Sequence, residues 1–479
     1  MLTPTVAAAH PIELPRAGAA RSARRLLRIA ALGARHLPPV AARKLFRRPA
    51  KAARAGRRIF EGLGATYVKF GQFLASAPGI VGVDVAEEFR RCLDAAPAVP
   101  FAKVRSVVES ELGCPIEDVF ARFEETPLAA ASIAVVHRAT LLDGTHVAVK
   151  VLRPDVEKTV ATDLGILEGL VRFMAARGID QAYNMVGLVV GLKAQIAEEL
   201  DLRNEARTMD TFRDLFAQYG MSLLVVPRVY HEHSSRRVLT MELFDGRPLD
   251  DLAHAQALGV DPAPLVRQLL DAWVVAHLRV NAFHADIHAG NLLLLRDGRL
   301  GIVDWGIISR FDDELALMFR RMCEVSLGHD EAWDDIAAVM IRSNGPSFYS
   351  LGLDDAQIRR YMQESMGPVL KLPLRDVSMS ALFVTGDELV RLATGATPTK
   401  RSFRQKRSAM RTAARSYQSA VASGAFDTPA MRMGFLSMKQ LVYLERYGQM
   451  YIPDESLLGD HDFLRRALAG GPTTPLRPM

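Results

Sequence analysis

Cysteine is scarce in this chain: Cys92, Cys114 and Cys323 are the only three among 479 residues. An odd number spaced so widely builds neither a disulfide framework nor a zinc-binding pattern, which favours a reducing compartment. Long apolar runs are missing too. The nearest, MVGLVVGL from Met185 to Leu192, ends at Lys193, well short of the roughly 20 residues that cross a bilayer. It reads as a packed helix. No charged segment followed by an apolar stretch opens the chain, so no secretory signal is expected. Repeats of solenoid length are absent. These absences point to a cytoplasmic protein, with any membrane attachment peripheral at the inner face.

Negative charge is almost missing from the first 60 positions, which hold fourteen Lys/Arg and one acidic residue, Glu13. Beyond residue 60 the chain carries 46 basic against 53 acidic residues, so the overall +6 belongs to the N-terminal arm. There RSARRLLRIAALGARHL sets Leu26, Leu27, Ile29 and Leu32 among Arg24, Arg25, Arg28 and Arg35. The pattern fits an amphipathic helix on an anionic membrane surface or an Ala/Arg-rich, partly disordered extension. Few aromatics interleave with the basic residues, and no nucleic-acid partner is expected.

What is present is ample material for cores. Hydrophobic residues make up 49% and charged residues 24%, and the length admits two to three domain-sized units. From Arg58 to Ala77 the apolar positions Ile59, Leu63, Tyr67, Phe70 and Leu74 recur at helical spacing, interrupted by glycines. Further helix follows through VAEEFRRCL and FAKVRSVVESELG. Near Glu124 the texture becomes strand-like around Asp143-Gly144, a hairpin signal. Long helical segments fill Val156 to Tyr219, and LLVVPRVYHEHSSRRVLTMELFDG adds two strands to the strand-rich lobe. After Gly246 the pattern is helical apart from two short strands around Asp297-Gly298, and KRSFRQKRSAMRTAARSYQSAVASG reads as helix with a basic face.

One stretch is dense in polar groups within an apolar setting: FHADIHAGNLLLLRDGRLGIVDWG, Phe283 to Gly306. Asp286 is followed by Asn291 and then, at the end of an apolar strand, by Asp304 in VDWG. Asp–x4–Asn, a short hairpin and Asp-aromatic-Gly is the layout of a protein-kinase-like active site. In that chemistry one Asp accepts a hydroxyl proton, while Asn and the second Asp hold Mg²⁺ against phosphate oxygens. Lys150, in the strand VAVKV, supplies the cation for the phosphates. The segment QIAEELDLRNEARTMDTF offers Glu198, Glu199, Asp201 and Glu205 as its partner. On a continuous helix Asp201 and Glu205 share a face and Glu199 points elsewhere, so two acidic clusters with different partners are expected.

Two kinase features are absent. No G-x-G-x-x-G covers the phosphates; the corresponding turn is PLAAASIA, whose alanines do not enter the φ > 0 region cheaply, so the loop is expected to be stiff. No Ala-Pro-Glu follows Asp304, which leaves no platform for a peptide substrate.

With these departures the sequence resembles the UbiB/AarF atypical kinases, from about Leu63 into the helices that follow Gly246. KFGQ (Lys69 to Gln72) matches their KxGQ motif, AAAS (Ala129, Ala130, Ala131, Ser132) their Ala-rich loop, and ELD (Glu199 to Asp201) their ExD motif. Glu205 falls where the lysine-pairing glutamate is expected, and HADIHAGN matches the HADPHPGN catalytic loop. The resemblance implies an α+β, two-lobed protein-kinase-like fold with an N-terminal helical extension carrying KxGQ. The corresponding division is a basic arm (1–58), the extension (59–123), an N-lobe with inserted helices (124–245), a helical C-lobe (246–400) and a C-terminal helical segment and tail (401–479).

The resemblance further implies that Lys69 and Gln72 contact the ExD carboxylates, and that backbone groups of Met241, Glu242 and Leu243 take the adenine. Lys150 with Glu205, the Ala-rich loop, Asn291 and Asp304 would bind ATP or ADP with Mg²⁺, and Asp286 would serve the acceptor. The implied role is an ATP-dependent kinase or ATPase supporting ubiquinone, other isoprenoid-quinone or prenyl-lipid biosynthesis. Its expected partners are a lipid or prenyl-phenol, an anionic membrane surface, and a second copy or a lipid-enzyme complex. The sequence departs from the family at Trp305 (usually Phe), at Ile287 and Ala289 (usually Pro, so the loop is expected to be looser) and at Val135 (commonly Gln). No pair of C-terminal apolar spans is present. Two other readings compete: a nucleotide-binding pseudokinase scaffold, and a metal-dependent hydrolase using His284, Asp286 and His288 as alternating ligands on a strand.

Overall fold

A computed structural model of the chain describes residues 11–36, 49–75, 83–89, 91, 99–176, 180–350, 352–379 and 429–470. Cys92 and the basic segment 400–424 lie outside them. The chain divides into two compact units, Ala7–Asp210 with Pro227–Phe244, and Thr211–Val226 with Asp245–Met479.

The first unit opens with helices α1 (Ala19–His36), α2 (Pro49–Leu63), α3 (Ala65–Ala75) and α4 (Val83–Phe89). The arm is therefore helical over residues 19–36. What reads in sequence as one interrupted helix is two, α2 and α3, meeting at Gly64. Its φ of +94° is the left-handed value that closes one helix, and its carbonyl accepts from Tyr67 and Val68 to start the next. Phe60 packs against Tyr67, Phe70 and Phe89 with ring centroids 5.1–5.9 Å apart.

Helix α5 (Phe101–Leu112) leads into β1 (Phe120–Phe123), β2 (Ala129–Ala130), β3 (Ala134–Leu141) and β4 (His146–Leu152). The Asp143-Gly144 hairpin forms as its sequence indicates, with Gly144 at φ +89° and Thr140 opposite His146. Helices α6 (Val156–Ala176), α7 (Asp180–Glu199) and α8 (Leu202–Gln218) follow, then β5 (Leu224–Val225) and β6 (Val238–Glu242). Strands β1-β3-β4-β6 form one antiparallel sheet, with β2 folded onto β3. Val104, Val107 and Val108, one helical stripe of α5, pack on Val135, Val149, Val151 and Val238 of the sheet. Each valine so buried is worth about 1.5–3 kcal/mol.

Strand β5 does not join that sheet. It pairs in parallel with β10 (Leu300–Ile302) in the second unit, Leu224 opposite Leu300. Two residues carry too little periodicity to reveal their partner.

The second unit contains β7 (Gly246–Pro248), α9 (Leu252–Leu258), α10 (Ala263–Val280), β8 (Ala282–His284), β9 (Leu292–Leu295), β10 and β11 (Ile308–Arg310). Helices α11 (Asp313–Ser326), α12 (Ala332–Ser350), α13 (Asp355–Lys371), α14 (Pro429–Tyr451) and α15 (His461–Ala469) complete it. Besides β9 and β10, whose hairpin the sequence indicates, three short strands appear: β7 extends that pair, and β8 pairs with β11. Helix α10 is the central post. Ten of its residues, from Leu265 to His277, are buried, as a helix surrounded by protein requires. No helix among the described residues is long and apolar enough to cross a membrane.

Candidate functional site

In the first unit, Lys150 lies on β4 between Val136 of β3 and Leu239 of β6. Its ammonium sits 2.9 Å from both carboxylate oxygens of Glu205, and both side chains are buried. A lysine on a central strand cannot be the solvated edge residue that its strand position alone would suggest.

The continuous helix expected through residues 195–212 breaks. Helix α7 ends at Glu199 and α8 begins at Leu202, whose N–H donates to Arg236 O instead of continuing the helix. Asp201 sits in the break, so it does not share a helical face with Glu205. Its carboxylate accepts from the N–H and the guanidinium of Arg203. Burial pushes Asp201 up, but those Arg203 bonds outweigh it and leave the group below its ordinary value. Glu199, one residue before the break, pairs with Lys69 of α3 and accepts from Gln195 Nε2 at 2.9 Å. Lys69 and Lys150 thus have separate carboxylates, while Gln72 stands three residues after Lys69 on α3 and is half-buried.

The Ala-rich segment is a tight hairpin. Ala129 and Ala130 pair with Val136 and Val135. Ala131 donates its N–H to Ala134 O, and its carbonyl accepts from Arg153 Nε at 3.0 Å. Ser132 is buried. At the end of β6, Met241 bridges Val229, and the Glu242 N–H donates to Arg228 O. That bond commits the Glu242 N–H, one of the backbone groups expected to meet adenine, to a partner within the protein.

In the second unit the loop after β8 is tied at several points. His284, fully buried, donates Nε2–H to Val303 O and accepts the Asp286 N–H at Nδ1. Those two bonds fix its tautomer, and burial holds its pKa down. With both ring nitrogens spent inside the protein, His284 has no lone pair for a metal. Strand β8 also ends at His284, so Asp286 and His288 do not alternate with it along a strand. The hydrolase reading therefore lacks its ligand set, and no three-residue His/Cys/Asp/Glu metal group occurs among the described residues.

Asn291 donates its amide to Asp286 O at 2.9 Å, and its own carbonyl accepts the Val303 N–H. Asp286, Asn291 and the strand leading to Asp304 are thereby held in one frame. Asp304 takes a φ of +57°, uncommon for a residue with a side chain and characteristic of functional turns. Trp305 is buried. It stacks 4.5 Å from Phe212, meets His284 at 4.8 Å, and donates Nε1–H to Ile302 O. Its size is used in packing. Ile287 is fully buried and its carbonyl accepts from Tyr447 at 3.1 Å. The loop expected to loosen without proline is pinned by burial and by α14.

Helix α14 lies in the segment expected to be helical, but the approach of its Lys439 to Asp286 was not expected. Lys439 Nζ lies 2.6 Å from Asp286 Oδ1, and the Tyr443 ring stands 6.5 Å from that of His288. Burial raises the Asp286 carboxyl, yet the Lys439 charge, helped by His288, holds it below its ordinary value. Lys439, Tyr443 and Tyr447 recur every four residues on one helical face. Such a stripe marks a helix face but not what that face meets.

The donor set suits magnesium. Asn291 turns its nitrogen to Asp286 O, so its side-chain oxygen is the atom that could serve as a ligand. Asp304 adds a carboxylate, the hard-oxygen pair that Mg²⁺ takes beside phosphate oxygens.

A small antiparallel sheet carrying a buried Lys–Glu pair, and a helical unit carrying Asp–x4–Asn and a following Asp, are features of a protein-kinase-like α+β protein. Residues 91–332 match the ABC1 atypical kinase-like domain, and the chain belongs to that family. It is 32% identical over 408 residues to an uncharacterised aarF domain-containing protein kinase of Arabidopsis thaliana, covering 84% of this chain and 73% of the relative. It is 31% identical over 405 residues to an uncharacterised Mycobacterium tuberculosis protein, covering 84% and 75%. A probable protein kinase UbiB of Cellvibrio japonicus is 32% identical over 344 residues, covering 68% of this chain and 59% of that protein.

Proposed function

We propose that the chain is an ATP- and Mg²⁺-dependent phosphotransferase or ATPase serving prenyl-lipid biosynthesis, isoprenoid quinones among its products, at a membrane surface. The observation that carries the reading is the frame in which Asn291 bonds Asp286 O and receives the Val303 N–H. These bonds tie the loop of Asp286 and Asn291 to the strand end that precedes Asp304, which supports the reading because phosphoryl transfer is chiefly positioning and charge stabilisation.

In this reading Lys150, oriented by Glu205, donates to phosphate oxygens, and the Ala131 hairpin lies over them. Asn291 and Asp304 hold magnesium, which when bound neutralises phosphate charge. Asp286 accepts the proton of a hydroxyl or water acceptor. The kinase and UbiB names of the relatives support the activity and the quinone-related pathway. For the membrane surface, support comes from the outer face of α1, where Leu26 and Leu27 are 51% and 71% exposed beside Arg24 and Arg28.

The test is thermal stabilisation by ATP and ADP, each with and without Mg²⁺, on wild type and Asp304→Asn. Magnesium-dependent stabilisation that disappears in the variant is expected. A folded wild type that no nucleotide stabilises would overturn the reading.

A further inference from the structure

Lys439 has no counterpart in the sequence motifs, yet α14 aims it at the centre of the candidate site. Three neighbouring contacts fix where it stands. Tyr447 donates to Ile287 O at 3.1 Å, Tyr443 faces His288, and Gln440, fully buried, accepts Trp273 Nε1–H at 3.0 Å. The Lys439 and Asp286 side chains are 22% and 19% exposed, so the pair is shielded without being sealed. An ordinary surface ion pair is worth roughly 0–1 kcal/mol and needs no such scaffold.

Phosphoryl transfer spreads negative charge over the equatorial oxygens of the moving group. A bare Asp286 carboxylate beside that group would repel it. Among residues 285–291 the loop itself contains no Lys or Arg; the cation at Asp286 comes from α14. We propose that Lys439 is a catalytic residue, the cation that binds the transferred phosphoryl group on its acceptor side next to Asp286. This rests on the phosphoryl-transfer reading above. The acceptor oxygen forms its bond to the γ-phosphorus while the bond from that phosphorus to the β–γ bridging oxygen breaks. ADP departs with the electron pair, and the acceptor proton passes to Asp286. Lys439 keeps its protons and donates a hydrogen bond to a γ-oxygen throughout.

The probe is Mg²⁺–ADP with and without aluminium fluoride, which mimics the moving phosphoryl group, titrated into wild type, Lys439→Gln and Lys439→Arg. Wild type should bind the fluoride complex more tightly than Mg²⁺–ADP. Lys439→Gln should weaken the fluoride complex by about 10- to 100-fold, the worth of a hydrogen bond to a charged group, and leave Mg²⁺–ADP binding unchanged. Lys439→Arg should restore part of the loss, and Lys439→Met serves as the neutral variant if Lys439→Gln does not fold.

Equal binding of the fluoride complex by wild type and the neutral variant would overturn the assignment. So would a wild type that binds Mg²⁺–ADP without tightening on fluoride, which leaves the nucleotide reading intact. Faster ATP turnover in the neutral variant would instead make the pair an inhibitory latch, and would also overturn it. A wild type that binds no nucleotide removes both readings together.

Discussion

Lys150 and Glu205 form a buried ion pair in which one ammonium meets both carboxylate oxygens at 2.9 Å, with 9% and 3% of the side chains exposed. Each charge left water to form it, so each depends on the other. Glu205→Gln should cost about 3–5 kcal/mol of stability, because it removes the carboxylate charge that faces a buried ammonium. Lys150→Met removes the ammonium that faces the buried carboxylate and should cost a similar amount. The double variant Lys150→Met/Glu205→Gln removes both charges and should cost less than the sum of the two single changes. Urea unfolding of the four proteins gives the coupling directly. Strictly additive losses would mean that the pair contributes nothing as a pair.

The spacing from Asp286 to Asp304 was legible in sequence because it is written in one local pattern, whereas Lys150 and Glu205 lie 55 residues apart and only the family resemblance singled Glu205 out of four candidate carboxylates. The division of carboxylates was only half legible. Two clusters follow from the residue types, but the break at Asp201 depends on Leu202 N–H finding Arg236 O, a tertiary contact without a local signal. Lys439 was invisible for the same reason. Its helix reaches the catalytic loop across 160 residues of chain, as the Tyr447–Ile287 bond records, and no periodicity links two segments so far apart. The tautomer of His284 likewise required seeing both of its partners at once.

Arg25 ties α1 to the first unit. Its guanidinium makes two bonds to Asp163 at 2.6 and 2.7 Å, a third to Leu63 O, and lies over the Tyr67 ring at 5.3 Å. Asp163 is 1% exposed, and burial raises its pKa even though Arg25 pulls it down. Arg25→Met removes the counter-charge and three anchors together. Helix α1 should then open more often, and trypsin should cut at Arg24 and Arg28 at least about tenfold faster, since cleavage follows the open population. The pattern of cuts elsewhere should not change. Unaltered cleavage at those two arginines would show that the apolar contacts of α1 suffice to hold it.

A second carboxylate gives the second unit a pH dependence. Asp271 of α10 is pushed up to about 7, first by burial and then by the charge of Asp460, against the opposing pull of Arg267 and Arg466. Because the folded form keeps its proton to higher pH than the unfolded chain, this group favours folding below about pH 4. That advantage is lost as the pH rises towards 7. His277, fully buried on the same helix, is pushed down to about 4 by burial and has the opposite sign. Its contribution is lost as the pH falls from 6.5 to 4. The two slopes oppose each other in wild type over that window. Asp271→Asn should therefore match wild type near pH 4 and exceed it at pH 8, by about 2–4 °C in Tm for each kcal/mol recovered. Between pH 4 and 6.5 the variant should gain stability with pH, as the His277 slope emerges unopposed. Melting curves of both proteins from pH 4 to 8 decide it, and a difference that does not grow with pH would show that Asp271 is already ionised in the folded protein.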